Sequence, residues 1–297
     1  MTPSPSSTIE MLAPPPPHPD DAAVLVELST LAEHTFTLWD QDWVGFSWRA
    51  YTHDHVRRVR NLAMTLCALE GGSPRPLDVA ATLHDITKPY DGEIVMKDGK
   101  RVLDENGFWR NAYLPPARHN RVTQIYERMN LRGQLHNVSG ARVAEALLDA
   151  YGYDAAFQAH VAEIIISHLR VTEETSLEGR CLYDADTIDA NIGLPALYRN
   201  IHITMHHLER QYDTATSSLD EYLRQHFSTF FVPYVSERLP NWIAGKQRDF
   251  IERLTTSNGQ EIAQQRIDRL STIVQRVQEE LVTLGTATST GISGILH

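Results

Sequence analysis

Leu83-His84-Asp85-Ile86-Thr87-Lys88 is the stretch that decides how this chain is read. A histidine and an aspartate stand side by side at the end of an apolar run that includes Ala80, Ala81, Leu83 and Ile86. Neighbouring residues on a helix point about 100° apart. The pair can therefore close on one ion only from a helix end that faces a cavity. A buried carboxylate beside an imidazole is costly unless a positive charge compensates it, and a divalent metal does so directly.

Outward from that stretch the periodicity is helical on both sides. The segment from about Pro76 to Asp85 is too apolar for a surface helix; Pro89 then stops it, with Lys88 three residues beyond Asp85. Upstream, apolar residues recur at three and four positions from about Thr52 to Glu70 and from Asp21 to Leu38, and Trp39, Trp43, Phe46 and Trp48 form an aromatic cluster between them. Residues 1–20 hold the run Pro14-Pro15-Pro16-Pro17 and are expected to be disordered. Downstream the pattern fails from Tyr90 to about Asn120. Asp98-Gly99 is a hairpin signal there, Asn106-Gly107 a further turn, and the insertion reads either as loop decoration or as a lid carrying substrate contacts. Helices are expected over Val122–Met129, Asn137–Tyr151, Ala155–His168, Leu197–His226, Asn241–Leu254 and Gln260–Leu284, with 286–297 a flexible tail. The expected class is all-α: one helical domain over 21–285 with a small β-hairpin insertion at 90–120 and a C-terminal helical extension over 200–285.

Single histidines at helix ends carry little weight. The ordered series His55, His84-Asp85, His136, His168 and Asp186 carries more, because each stands on an apolar helix or at its end. These donors exceed what one tetrahedral site requires. They suit two first-row divalent ions, or one octahedral ion with a histidine left for substrate. His53 yields to His55, which has the helical register with Val59 and Leu62; His119 in the insertion is a minor candidate for substrate or metal contact; and the one-turn pair His202/His206 has no third ligand in register.

This series resembles the HD-domain superfamily of metal-dependent phosphohydrolases, a helical fold. The likeness runs through His55 with Arg58-Val59, His84-Asp85-Ile86-Thr87-Lys88, His136 with Gly140-Ala141-Arg142-Val143-Ala144, Ile164-Ile165-Ile166-Ser167-His168 and Asp184-Ala185-Asp186-Thr187-Ile188-Asp189-Ala190, a core of about 50–200. It implies that His55, His84, Asp85 and Asp186 hold one metal. His136 and His168 match the extra histidines of binuclear members, with Asp85 as bridge. Lys88 matches a lysine that meets an anionic part of the substrate, and Asp184 is a carboxylate behind the ligands. Iron or manganese leads, with Mg, Ni, Co and Zn compatible. The Ile86-Thr87-Lys88 sequence departs from the cyclic-dinucleotide phosphodiesterases, which place a glycine before the lysine, and no Gly-Tyr-Pro motif is present.

The implied reaction is hydrolysis of a small phosphate ester or nucleotide. Asp85 or Asp184 takes the proton from a metal-activated water, and Lys88 with Arg142 or an arginine of the insertion steadies the phosphoryl charge. The same donors serve a di-iron oxygenase that cleaves a C–C or C–P bond, and a metal-stabilised binding protein is the third reading. A net charge of −11 argues against a broad nucleic-acid surface but leaves room for a small phosphorylated anion in a locally positive cleft. Cys67 and Cys181 are expected to be free thiols, and with no leader or membrane span in the sequence the expected location is cytoplasmic. The stripe Ile262, Ile267, Leu270, Val274, Val277 and Leu281 packs into the core or, alternatively, pairs two copies of the chain.

Overall fold

The computed structural model describes residues 21–39, 53–104, 107–211 and 231–285. Helix makes up 71% of it, against two small two-stranded sheets, so the all-α expectation holds.

The central element is α3 (Pro74–Leu83). Pro74 and Pro76 in its first turn lack N–H groups that would have no helical acceptor there. From Pro76 onward every residue except Asp78 is buried. Ala80 and Ala81 keep this helix narrow, and α1 (Asp21–Phe36), α2 (His53–Glu70), α5 (His136–Ala150), α6 (Ala155–Ser167) and α7 (Leu177–Asn191) all pack against it. Pairs α2/α7 and α5/α6 flank it, while the short α4 (Arg121–Arg128) bridges α1 and α5. One apolar cluster runs through these helices from Val24 to Val274.

The insertion folds much as its turn signals direct. Strands β2 (Met96–Lys97) and β3 (Lys100–Arg101) pair antiparallel across Asp98-Gly99, whose φ angles of 51° and 72° are those a two-residue hairpin turn demands. Strand β1 (Asp91–Ile94) pairs with β4 (Asn111–Tyr113) and returns the chain to the bundle. Trp39 locks this return: its indole N–H donates to the Leu114 carbonyl at 3.0 Å, and its ring meets Tyr90 edge-on. Trp43, Phe46 and Trp48 lie outside the described residues.

Helix α8 (Leu194–Gln211) starts three residues before its expected position, and the rest of the expected helix lies outside the described residues. Beyond it come α9 (Leu239–Asp249) and the long α10 (Ser257–Thr283). Ile267, Leu270, Val274 and Leu281 are buried, so the apolar stripe of α10 serves the chain's own core against α2, α7 and α9. Cys67 and Cys181 are buried free thiols. Among the described residues no helix is long and apolar enough to cross a membrane.

Candidate metal centre

Helix α3 ends at Leu83, two residues before the expected end, so His84 and Asp85 lie in the turn beyond it. That turn is tight: Ile86 N–H donates to Leu83 O at 3.0 Å, and Lys88 N–H to Asp85 O at 2.9 Å. Helix α5 holds it from above. Thr87 Oγ1 donates to the His136 carbonyl at 2.9 Å, and a Cβ on Gly140 would lie only 3.3 Å from the His84 carbonyl. The glycine is what lets α5 approach the His-Asp turn so closely.

Four imidazoles converge on Asp85, each delivered by a different element: His55 from α2, His84 from the turn, His136 from the first position of α5 and His168 from the C-terminal end of α6. All are buried. Their Nε2 atoms divide between the two oxygens of one carboxylate. Asp85 Oδ2 is 3.8 Å from both His55 and His84, while Oδ1 is 3.5 Å from His136 and 3.6 Å from His168. Asp186 Oδ1 closes the first side at 3.0 Å from His55 Nε2 and 4.0 Å from His84 Nε2.

Every imidazole is oriented from behind through Nδ1. His84 Nδ1–H donates to Ala81 O at 2.8 Å, and His168 Nδ1–H to Ile165 O at 2.6 Å. A carbonyl oxygen can only accept, so in the neutral ring both place the Nε2 lone pair on the centre. His55 Nδ1 meets Asp189 Oδ2 at 2.7 Å and His136 Nδ1 meets Asp91 Oδ2 at 2.8 Å, the carboxylate–histidine support found behind metal ligands. Arg58 grips Asp189 in turn through Nε and Nη2, at 2.9 and 3.0 Å.

The residues fit divalent ions on a specific observation. His84 Nε2 is buried without a hydrogen-bond partner and faces carboxylate oxygens at 3.8 and 4.0 Å. Burial pushes its pKa down to about 4 against the pull of Asp85, so it is neutral and offers a lone pair towards two acceptors. Only a cation between them satisfies both sides. Donor separations of 3.0–4.0 Å are those of atoms about 2.0–2.2 Å from a shared ion. Two groups could each hold one, His55/His84/Asp85 and Asp85/His136/His168.

Electrostatics divides the centre. Burial opposes a charge on His55, yet hydrogen bonds to Asp186 and Asp189 outweigh it and raise the pKa to about 9. His136 is held below its ordinary value by burial and by Lys88, whose Nζ is 3.1 Å from Nε2. Asp85 resists burial and stays well below the carboxylate range because Lys88 and the histidines surround it.

Two expected participants lie elsewhere, and the reading of them is corrected. Asp184 is fully buried, but its carboxylate accepts from the N–H and hydroxyl groups of both Thr255 and Thr256 at 2.7–3.1 Å, which anchors the start of α10. Residues two apart on a helix point about 200° apart, so Asp184 and Asp186 cannot both face one cavity. Arg142 is exposed on the outer face of α5 and pairs with Glu145. Of the minor candidates, His119 is exposed beside Glu127, His53 lies against Phe36, and the side chains of His202 and His206 are outside the described residues. Asp91 and Asp189 were missed as supports. Asp189 had a readable signal, one turn after Asp186 on the same face; Asp91 had none, because the strand that carries it is placed by the insertion.

Residues 52–191 match the family model of the HD domain. Comparison with curated proteins returns no match. Among solved structures the chain is similar to a predicted HD superfamily hydrolase from an uncultured Thermotogales bacterium, at 23% identity over 86% of this chain and 92% of that one, TM-score 0.48. It is also similar to Bacillus subtilis YpgQ in complex with ADP (16%, 88% and 96%, TM-score 0.44) and to the Lin1889 protein of Listeria innocua (12%, 89% and 98%, TM-score 0.47). Because the matched segment contains all four histidines, Asp85, Asp186 and both supporting aspartates, residues 52–191 form an HD domain.

Proposed function

We propose that the protein is a metal-dependent hydrolase of a small phosphate ester or nucleotide, with a binuclear centre held by His55, His84, Asp85, His136, His168 and Asp186. The observation that carries this reading is the division of Asp85: one oxygen faces His55 and His84, the other His136 and His168. Divalent ions held there would supply a water of lowered pKa and neutralise phosphoryl oxygens. The chain's own groups do the rest. Asp189 and Asp91 hold two imidazoles in the ligating orientation. Lys88 stands at the edge of the centre, where its ammonium meets an anionic substrate. With Asp184 saturated by α10, the proton falls to a carboxylate of the centre itself. Asp186, with 18% of its side chain exposed against 3% for Asp85, is the one open to substrate.

The test is hydrolysis by the metal-reconstituted protein across nucleotides, cyclic nucleotides and phosphomonoesters. Asp85→Ala removes both metal and turnover. Metal-loaded wild type that turns over nothing in the panel refutes the proposal.

A further inference from the structure

Beyond Asp189, which backs His55, lies a cavity of about 550 Å³ between α2, the end of α7, the start of α8 and α10. Three guanidinium groups line it: Arg58, Arg266 and Arg269. Arg58 is neutralised by Asp189. Arg266 and Arg269 make no ion pair or hydrogen bond among the described residues, in a chain whose net charge is −11. Gly193, at φ 84°, brings its backbone against the Arg266 stem, where a Cβ would lie 3.2–3.6 Å from three stem carbons. The stem is thus clamped and the charged end directed to the cavity. Burial holds Arg266 below the ordinary guanidinium range; Asp189 pulls the other way, and Arg269 and Arg58 add to the lowering.

The lining also has an apolar part, made by Leu62 on α2 and by Leu270 and Ile273 beside the arginines on the same face of α10. One lining carboxylate, Asp189, stands against three guanidinium groups, so the cavity carries an excess of positive charge that a dianion balances, and planar guanidinium forks match phosphate oxygens. The volume exceeds the needs of a bare ion and lies within the range of small-molecule sites, about 300–1,000 Å³. We propose that this cavity is a second binding site, distinct from the metal centre, for an organic phosphate whose dianionic head meets Arg266 and Arg269 and whose apolar body lies on Leu62, Leu270 and Ile273. The site does not depend on which reaction the metal centre performs. It shares Asp189 with that centre, so an occupant stands one carboxylate away from His55.

Phenylphosphonate, which has the head and a flat apolar body without a hydrolysable ester, is the probe; methylphosphonate has the head alone. Calorimetric titration of the metal-loaded protein and of the same protein after EDTA treatment separates the two sites. Phenylphosphonate is expected to bind in both states and more tightly than methylphosphonate. The double variant R266Q/R269Q, with metal content unchanged, is expected to lose about tenfold or more in affinity. The single variant R269Q, at an exposed position that does not bear on folding, is expected to lose severalfold. Binding that disappears with the metal, binding that the arginine variants leave unaltered, or no binding at all overturns the proposal.

Discussion

Asp189→Asn tests the support beneath His55. The carboxylate is buried and accepts from His55 Nδ1 at 2.7 Å and from two Arg58 N–H groups at 2.9 and 3.0 Å. Removing an outer partner of this kind costs about 10–100-fold in metal affinity, roughly 1.4–2.8 kcal/mol. The direction of its pH dependence follows from the same contacts. Hydrogen bonds to Asp186 and Asp189 overcome burial and raise His55 in the metal-free protein to about 9. Between the ordinary value of about 6.5 and that figure, an ion must displace a proton, so wild-type affinity climbs about tenfold per pH unit. The amide weakens the hold on the proton as well as on the ion, and with Asp186 still in place the variant's affinity levels off at a lower pH than that of the wild type. The gap between the two proteins therefore widens from pH 7 to pH 9, towards about 10–100-fold. Competition against a chromogenic chelator at pH 7, 8 and 9 measures the gap. Asp91→Asn is the matched control: His136 is already depressed, so its loss stays level over the same range. In the metal-free wild type the raised pKa stabilises the fold below about pH 6.5, and that contribution is lost as pH rises through 9. A gap that does not widen with pH, or affinities within about twofold at pH 9 against the losses usual for such supports, refutes the reasoning.

Asp184→Ala removes an acceptor that holds four donor groups at the start of α10, and is expected to cost about 3–5 kcal/mol in chemical denaturation while the folded fraction keeps its metal. Lys246 is buried against Trp242 and Phe250; burial and then Arg199 push it down to about 8. The unfolded chain therefore binds more protons from about pH 8 to 10.5, and stability rises with pH across that window; Lys246→Met removes the rise and adds about 1–2 kcal/mol at pH 7, read from melting curves. Lys88→Met frees His136 Nε2, so two-ion occupancy appears at lower free metal in elemental analysis, while turnover of an anionic substrate falls by about tenfold or more. Iron-loaded protein handled without oxygen shows no dioxygen uptake with substrate if the hydrolase reading holds, and uptake coupled to bond cleavage moves the assignment to the oxygenase.

The helical class and the gathering of the histidines were legible because they rest on local patterns. The alternation of Leu77, Ala80, Ala81 and Leu83 marks a buried helix, and His84-Asp85 at its end can only face inward. The misreadings share one cause, the helix face. Asp186 reads as a ligand and Asp184 as a carboxylate behind it, yet the 200° between them puts Asp184 against Thr255 and Thr256, away from the centre, and Asp186 on His55. Arg142 belongs to the same motif as His136 by sequence, but six residues along α5 bring it round to solvent beside Glu145. Asp91 is different in kind. Its role depends on β1 pairing with β4 about twenty residues later, and no local pattern states where a paired strand will lie against the bundle.

The metal-free centre carries its own substitutes for the ions it is built to hold. Asp85 needs positive charge at both oxygens, since burial alone would protonate it. On the Oδ2 side, the protonated His55 ring, with Nε2 towards Asp186 and Nδ1 towards Asp189, supplies that charge. On the Oδ1 side the Lys88 ammonium does so, 3.1 Å from His136 Nε2. The fold is therefore compensated before any ion arrives, unlike domains that are unfolded without metal. Loading on the first side must expel a proton, and loading on the second must displace an ammonium from the same nitrogen lone pair. A displaced Lys88 leaves the carboxylate that balanced it and requires another anion within reach of its side chain. Under the proposed function a phosphate-bearing substrate at the edge of the centre would be that anion, and filling of the second position would then be linked to substrate binding through a single side chain.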